Sequence, residues 1–456
     1  MKILILGAGQ VGSSVAQILS KEPQNDITVV DSNALVLASL KDRLDIRTVK
    51  GHASHPNVME QAGALGTDIL IAVTSSDETN MVACELGKLL FNIKTKIARI
   101  RSSSYLNNVD IFGNSEGKLA VDVTISPESL VTEQIKNVIE LSGATRVLPF
   151  ASGRALLVSS IAQSGGRLIG SQIKELPKHL PGIDIRIAAI FRGEDTLEVT
   201  GNTILQENDE VFFLSARQHA RLMMAELRPL DKKAKKIVIA GGGNIGMRLA
   251  DALEDDVRVK IIEHNYQNAQ KLSARLSKAI VLSGDCADEE LLREENIEQT
   301  DVFCAVTNDE QANILSAMLA KRLGAKRVMS LINRPSYVEL VESESQIDVV
   351  FSPQQVTIGA LLAYIRRGDI VKVYSLGDSE AIEIIAHGTL ESSQVIGRHH
   401  DEIQWPEGVV LAALIRGNKV LMYHHDSIIE AEDHAILFVS DKTSIQFVEE
   451  LFHVST

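Results

Sequence analysis

Cysteine, aromatic residues and long apolar runs are scarce in this sequence, and each shortage argues against a class of protein. The 456 residues include 3 cysteines, Cys84, Cys286 and Cys304, and no CxxC pair. A disulfide scaffold and a structural zinc site are therefore not expected, and a reducing compartment fits. Aromatic residues make up 4%, too few for the stacking surfaces that bind single-stranded nucleic acid. No apolar stretch approaches the roughly 18 residues of a membrane-spanning helix, and the N-terminus lacks a signal-peptide cleavage site.

Positive charge is also in deficit, with a formal net charge of −14. Such a surface repels nucleic acid and anionic lipid unless a local basic patch overrides it. The one basic run, between residues 232 and 236, directly precedes an apolar strand, and we interpret it as a solvated linker. We therefore expect no nucleic-acid partner and no direct insertion into a membrane.

The sequence repeats itself. KILILGAGQVG at 2–12 recurs as KIVIAGGGNIG at 236–246, and DILIAVTSSDETN at 68–80 recurs as DVFCAVTNDEQAN at 301–313. The similarity continues beyond these segments, because PGIDIRIAAIFRG at 181–193 resembles PEGVVLAALIRG at 406–417. The protein is therefore predicted to be a duplication of a two-lobed module.

Each first lobe alternates short apolar runs with helical patterns, which predicts a doubly wound parallel sheet of the Rossmann type. Each second lobe shows short alternating strands separated by Gly and Asp turns, which predicts a small α+β lobe. The fold class is thus α/β, with two tandem Rossmann-like domains each followed by a small C-lobe. The predicted domains are residues 1–140, 141–230, 231–366 and 367–456.

Both glycine turns have the GxGxxG pattern between a strand and an amphipathic helix. Gly7 makes the tight turn, Gly9 lets the backbone approach a pyrophosphate, and Gly12 lets the helix pack closely on the strand. An acidic residue follows at the end of the second strand in each copy, Asp31 and Glu263, where it can bind a ribose diol. Its charge would repel a 2′-phosphate, which favours NAD(H) over NADP(H).

The sequence has no P-loop, HExxH or GxSxG motif, so phosphoryl transfer, zinc proteolysis and serine hydrolysis have no candidate residues. We interpret the pairs His52/His55, His399/His400 and His424/His425 as ordinary loop or surface histidines rather than metal ligands. The lobe between the two Rossmann domains offers no evident acid or base. This pattern favours a nucleotide sensor that is not an enzyme. The alternative is an NAD-dependent oxidoreductase with two cofactor domains.

The chain resembles the NAD-binding subunits of Trk potassium-uptake systems, a family of tandem RCK (KTN) modules. The resemblance covers essentially the whole chain. It rests on the glycine turns and on GHASHP (51–56), AVTSSDETNMVAC (72–84), ARIRSSSY (98–105), AVTNDEQAN (305–313) and the segments ISPESL and FSPQQV. A soluble relative that regulates a different cation channel or efflux system remains open.

The resemblance implies a cytoplasmic ring, peripheral at the inner face of the cell membrane. The ring would be a homotetramer docked on a TrkH/TrkG-like potassium-transporting subunit. Exchange of NAD(H) with ATP or ADP would open or close that subunit. In the first cleft it implies the ligand-binding residues Gly7, Ala8, Gly9, Gln10, Val11, Gly12, Asp31, Gly51, His52, Ala53, Thr74, Ser75, Asn80, Arg99 and Arg101. In the second cleft these are Gly241, Gly243, Asn244, Ile245, Gly246, Glu263, Gly284, Asp285, Cys286, Thr307 and Asn313.

The two copies differ where phosphates are expected. Arg99 aligns with Leu331 and Arg101 with Asn333, so the second cleft loses both cations unless Arg334 substitutes. Triphosphate is therefore more plausible in the first cleft, and Arg99→Ala should weaken ATP binding more than NADH binding.

Overall fold

Two parallel and two antiparallel sheets alternate along the part of the chain that the computed structural model describes. That part is residues 1–456 without 23, 116, 194, 230–231, 335–336, 339, 342–345, 367–369, 377–378, 400–401, 424–426 and 455–456. The architecture confirms the predicted fold class.

The first parallel sheet has the strand order β3-β2-β1-β4-β5-β6 over the described residues. Its strands are β1 (Lys2–Leu6), β2 (Asp26–Asp31), β3 (Arg47–Lys50), β4 (Ile69–Ala72), β5 (Thr95–Arg99) and β6 (Val123–Ile125). Its helices are α1 (Gln10–Leu19), α2 (Ala34–Lys41), α3 (Pro56–Gln61), α4 (Asp77–Leu89), α5 (Ser103–Leu106) and α6 (Pro127–Glu140). The order reverses between β1 and β4, which is where doubly wound sheets bind ligands.

Local sequence explains these elements. β4 is buried along its whole length, as the continuous apolar run ILIA predicts for a strand covered on both faces. α1 buries one face through Val11, Val15 and Leu19, the stripe expected from helical spacing. α4 begins after Ser76, whose side chain accepts a hydrogen bond from the Thr79 N–H and so caps the helix.

The second parallel sheet repeats this topology in the order β14-β13-β12-β15-β16-β17. Its strands are β12 (Lys236–Ala240), β13 (Arg258–Glu263), β14 (Ile280–Ser283), β15 (Val302–Ala305), β16 (Arg327–Leu331) and β17 (Val349–Phe351). The helices of this region are α9 (Asn244–Leu253), α10 (Tyr266–Arg275), α11 (Glu289–Glu294), α12 (Glu310–Arg322) and α13 (Pro353–Ile365).

Each C-lobe is an antiparallel sheet with short helices. The first contains β7 (Ala144–Phe150), β8 (Ala155–Ile161), β9 (Ile185–Arg192), β10 (Asp195–Leu197), β11 (Glu210–Ala216), α7 (Leu176–His179) and α8 (Ala220–Leu227). The second contains β18 (Ile370–Leu376), β19 (Ser379–Ile385), β20 (Val409–Arg416), β21 (Lys419–Met422), β22 (His434–Val439) and α14 (Ile445–Phe452). Of the helices in the described part of the chain, none is long and apolar enough to cross a membrane.

The chain divides into two units that do not follow its linear order. Unit 1 contains residues 1–130 and 354–365, and unit 2 contains residues 131–353 and 366–456. Most of α13 thus belongs to unit 1, although it follows the second sheet in sequence. Its buried residues, including Ile358, Leu361 and Leu362, lie around much of its circumference, as expected of a helix enclosed by other elements. The predicted boundaries at residues 140, 230 and 366 stay predictions, and internal repetition alone did not suggest this arrangement.

Within unit 2 the two C-lobe sheets share one apolar core. It includes Phe150 and Phe212 from the first lobe and Phe438 from the second, and the Phe212 and Phe438 ring centroids are 5.6 Å apart. Polar contacts accompany it, because the Glu383 carboxylate accepts a hydrogen bond of 3.0 Å from the Ala151 N–H. The two C-lobes of one chain therefore form a single packed body.

Candidate functional site

The first glycine turn is crowded at Gly7 and Gly12 and open at Gly9. Gly7 has φ of +104°, and a Cβ there would lie 3.0 Å from the Thr74 backbone. A Cβ on Gly12 would lie 1.9 Å from the Gly7 carbonyl oxygen, so this position requires glycine. No heavy atom lies within 4 Å of a Cβ built on Gly9. A phosphate would therefore reach the backbone N–H groups at the start of α1 through the space beside Gly9.

The second glycine turn has the same geometry. Gly241 has φ of +103°, a Cβ on Gly246 would lie 1.9 Å from the Gly241 carbonyl oxygen, and the Cβ direction of Gly243 is open. Gly9 and Gly243 precede α1 and α9, and no side chain of the described residues caps either helix at that position. The first N–H groups of both helices are therefore available to an anionic group.

The other predicted turn residues differ in access. Gln10 and Asn244 are exposed and Ile245 is half-buried, whereas Ala8 and Val11 are buried. The two buried residues would meet a ligand only through backbone atoms.

Asp31 lies against the glycine turn. Its Oδ2 accepts a hydrogen bond of 2.7 Å from the Ala8 N–H, and its Oδ1 accepts one of 2.7 Å from the Asn33 N–H. Glu263 repeats the arrangement, because Oε2 accepts from the Gly242 N–H at 2.8 Å. The carboxylate expected to bind ribose is thus held beside the glycine turn in both copies.

Thr74 and Asn80 form a junction of hydrogen bonds between β4 and α4, with Thr74 half-buried and Asn80 buried. Asn80 Oδ1 accepts hydrogen bonds from the Thr74 N–H and Oγ1 at 2.9 and 2.7 Å, and its Nδ2 donates to the Arg99 carbonyl oxygen at 2.9 Å. The Asn80 side chain is completely buried, so it positions Thr74 and Arg99 and does not line the cleft surface as we expected. Ser75 is exposed beside this junction.

Asn313 makes the same junction in the second copy, with hydrogen bonds of 2.8 and 2.7 Å from Thr307 and one of 3.0 Å to the Leu331 carbonyl oxygen. It too is completely buried, which revises its predicted place on the cleft surface in the same way.

The GHA segment follows β3 and lies beside Asp31. The Gly51 N–H donates to the Asp31 carbonyl oxygen at 2.9 Å, and a Cβ on Gly51 would lie 2.6 Å from Val58. His52 is exposed, with Nδ1 3.1 Å from Ser54 Oγ, and Ala53 is buried.

In the second copy, the Gly284 N–H donates to the Glu263 carbonyl oxygen at 3.0 Å, and Asp285 accepts from the Ala287 N–H at 2.9 Å. Cys286 is buried, and burial raises the pKa of its thiol, so it offers no reactive thiolate at neutral pH.

Two arginines meet one carboxylate at the end of β5. The Arg99 Nη2 and Arg101 Nε atoms lie 3.9 and 4.0 Å from Glu128 Oε1. The Arg99 side chain is 19% exposed. Burial lowers the pKa of Arg99, and the charge of Arg101 lowers it further, while Glu128 acts in the opposite direction. The negative charge of a ligand phosphate would offset the repulsion between the two guanidinium groups, so the pair has the charge that anion binding requires.

The second cleft lacks this cation pair. Leu331 is buried, and Arg334 is engaged elsewhere, since its Nε lies 3.3 Å from Glu310 and its guanidinium lies 5.2 Å from the Tyr337 ring centroid. Whether Arg334 substitutes for Arg99 or Arg101 stays a prediction, and its guanidinium contacts Glu310 and Tyr337 in this structure.

Two acidic residues were missed from sequence. Asp77 Oδ2 accepts hydrogen bonds from the Arg101 and Ser102 N–H groups at 2.9 and 2.8 Å, and Glu310 accepts from the Asn333 and Arg334 N–H groups. Both carboxylates hold the loop that follows the fifth strand of their sheet. The sequence signal that could have identified them is that they occupy matching positions in the two repeats. Across the described residues, no group of three or more His, Cys, Asp or Glu is placed to hold a metal ion. His400, His424 and His425 lie outside the described residues.

The predicted residues of each cleft form a connected series. In the first cleft, contacts link the GHA segment, Asp31, the glycine turn, Thr74, Asn80 and Arg99 in that order along the carboxyl edge of the sheet. This edge brings together an open glycine turn, the Asp31 carboxylate beside it and two arginines farther along.

Known proteins match the whole chain. The TrkA-N domain family matches residues 3–127 and 237–353, and the TrkA-C domain family matches residues 157–228. The chain is 50% identical over 456 residues to the Trk system potassium uptake protein TrkA of Halomonas elongata, covering 100% of this chain and 99% of the relative. It is 45% identical over 457 residues to the protein of that name from Haemophilus influenzae, with the same coverage.

Solved structures agree on the fold. The crystal structure of the GsuK RCK domain superposes with a TM-score of 0.62 at 15% identity, covering 99% of this chain and 94% of that chain. The GsuK channel bound to NAD superposes with a TM-score of 0.61 at 16% identity, covering 99% and 78%. Both share the fold of this chain. With full-length relatives at this level of identity and both family domains in place, the chain belongs to the TrkA family of Trk system potassium uptake proteins.

Proposed function

We propose that this protein is the nucleotide-binding regulatory subunit of a potassium-uptake system. NAD(H), ATP and ADP bind its Rossmann clefts, and their exchange gates a TrkH/TrkG-like potassium-transporting subunit in the membrane. The observation that carries the proposal is the first cleft, where an open glycine turn, the Asp31 carboxylate and the Arg99/Arg101 pair follow one sheet edge. The relatives named as Trk potassium uptake proteins supply the transport context.

The chemistry of the cleft suits a nucleotide. The N–H groups after Gly9 would bind a pyrophosphate, and Asp31 has acceptor capacity for ribose hydroxyls. The fold neighbour solved with NAD bound supports NAD(H) as one ligand of this architecture. ATP and ADP are proposed from the cation pair, because added phosphate charge would be stabilised there and not beside Leu331.

Gating follows from linkage. A nucleotide shifts a conformational equilibrium only by the difference in its affinity for the two states. Allosteric couplings of this kind are about 1–3 kcal/mol. The terminal phosphate of ATP near Arg99 and Arg101 would supply such a difference, since NADH places no comparable charge there.

The assembly is proposed to be a homotetrameric ring, cytoplasmic and peripheral at the inner face of the cell membrane. The net charge of −14 disfavours nucleic acid as a partner and agrees with docking through protein contacts. Sedimentation of the purified chain with and without the transporting subunit would measure both the stoichiometry of the ring and its docking.

The first experiment is a fluorescence titration of the full-length protein with NADH, followed by competition with ATP. Saturable binding that ATP reverses, with constant NADH absorbance, supports the proposal. The second experiment is rubidium uptake into vesicles that contain the transporting subunit, with this protein and each nucleotide added. Nucleotide-independent uptake would contradict the gating role. Steady oxidation of NADH with a small carbonyl substrate would favour the oxidoreductase alternative.

A further inference from the structure

The carboxylate that faces ribose has different surroundings in the two clefts. Three aligned positions differ together: Ala8, Asp31 and Val36 in the first copy become Gly242, Glu263 and Asn268 in the second. The alignment is structural as well as sequential. In each copy the residue two positions after the carboxylate donates its backbone N–H to it, and its side chain caps the next helix.

Among the described residues of the first cleft, only backbone groups donate hydrogen bonds to the Asp31 carboxylate. Asp31 accepts one hydrogen bond on each oxygen, from the Ala8 and Asn33 N–H groups, both at 2.7 Å. The side chain at position 36 is valine, which has no polar atom. A carboxylate has about four lone-pair sites, so Asp31 keeps acceptor capacity for both hydroxyls of a ribose diol.

In the second cleft, a side chain takes part of that capacity. Glu263 Oε2 accepts from the Gly242 N–H at 2.8 Å and from Asn268 Nδ2 at 3.0 Å, while Oε1 accepts from the Asn265 N–H at 2.8 Å. Asn268 Nδ2 also lies 3.2 Å from the Gly242 carbonyl oxygen, so it joins the carboxylate to the glycine turn.

The glycine at position 242 is part of the same arrangement. A Cβ there would lie 2.9 Å from Glu263 Oε2 and 2.2 Å from Leu272 Cδ1, so alanine, which the first copy has at this position, would force both side chains to move. The Glu263 carboxylate thus lies close against Gly242, and Asn268 donates a hydrogen bond to it there.

We propose that Asn268 determines the ribose selectivity of the second cleft by occupying the Glu263 carboxylate. The second cleft therefore gains less than the first from the 2′,3′-diol of a nucleotide, and it discriminates little between ribose and deoxyribose. This inference rests on the proposed nucleotide binding and names a selectivity residue for it. Asn268 acts on the ligand through Glu263, so it is a positioning residue.

The test uses full-length protein and calorimetric titration with ADP and 2′-deoxy-ADP. Gly9→Asp blocks the first cleft, because its Cβ points into the open phosphate space and its φ of −67° suits any residue. In that background, Asn268→Val should tighten ADP binding about tenfold and leave 2′-deoxy-ADP unchanged, as expected for a regained hydrogen bond to a carboxylate. The reciprocal arm transfers all three residues to the first cleft, as Ala8→Gly, Asp31→Glu and Val36→Asn with Gly243→Asp. It should weaken ADP binding about tenfold and leave 2′-deoxy-ADP binding unchanged.

The two arms separate the possible failures. An equal change for both nucleotides, or no change, in variants that bind ADP contradicts the role of Asn268 and leaves the proposed function standing. If Gly9→Asp binds too weakly to titrate, the reciprocal arm in the first cleft decides by the same criterion. If ADP binds neither cleft of the unmodified protein, the proposed function fails and this inference fails with it.

Discussion

Removal of the Arg99 guanidinium should separate ATP binding from NADH binding. A hydrogen bond to a charged group contributes about 1.5–3 kcal/mol, which corresponds to a loss of about 10- to 100-fold in affinity. We expect Arg99→Ala to weaken ATP by this factor. NADH should change less than about threefold, because its phosphates are expected at the glycine turn and not at the end of β5.

The structure supports the size of this effect. The Arg99 Nη2 to Glu128 Oε1 distance of 3.9 Å exceeds hydrogen-bond length, so phosphate binding need not break a strong ion pair first. The lowered pKa of Arg99, caused first by burial and then by Arg101, still leaves the group protonated at neutral pH, because arginine starts from a high value. The Arg99 side chain is thus charged and partly desolvated, which are the properties that anion binding requires.

The assay is NADH fluorescence with ATP competition in the Gly243→Asp background, so that only the first cleft reports. Arg99→Lys keeps the charge but not the forked geometry and should fall between wild type and alanine. Arg293→Ala, a surface substitution on α11, is the matched control and should change the affinity for neither ATP nor NADH. Equal losses of ATP and NADH affinity in Arg99→Ala would refute the reasoning.

Three further outcomes are expected. Gly9→Ala should keep the melting temperature, because its Cβ direction is open, and should weaken nucleotide binding, measured by calorimetry; unchanged affinity would place the phosphate elsewhere. Asn80→Ala should lower the free energy of unfolding, measured by urea denaturation, by about 2–4 kcal/mol. The reason is that it leaves the hydrogen-bonding groups of Thr74 and Arg99 unsatisfied. A loss of nucleotide binding with no loss of stability would contradict the structural role of Asn80. Burial raises the pKa of Cys304 to about 12. At pH 8 its thiol should therefore react with a maleimide only as fast as the protein unfolds. Labelling faster than unfolding would show that the surrounding structure opens locally.

The parts of the site that the sequence predicted are those defined by short-range pattern. Gly7, Gly12 and Asp31 follow a spacing that a strand, a turn and a helix impose on the chain, so the pattern predicts their geometry directly. The strands themselves were predictable for the same reason, because apolar runs bounded by turn residues mark buried parallel strands.

The parts that the sequence did not predict depend on packing between distant segments. Asn80 was expected at the ligand, but its complete burial reflects the position of β5, which no local pattern encodes. Asn268 has an ordinary helix composition around it, and its contact with Glu263 is visible only in three dimensions. The placement of α13 in unit 1 depends on which apolar surface encloses it, and internal repetition carries no information on that choice.

The common core of the two C-lobes has a consequence for mass action. Because Phe212 and Phe438 belong to one polypeptide, the pairing of these lobes is intramolecular and its equilibrium does not depend on protein concentration. Dilution can separate one chain from another but cannot separate these two lobes. The two contacting surfaces are different segments of one chain, so a substitution at Ala151 leaves the Glu383 side unchanged.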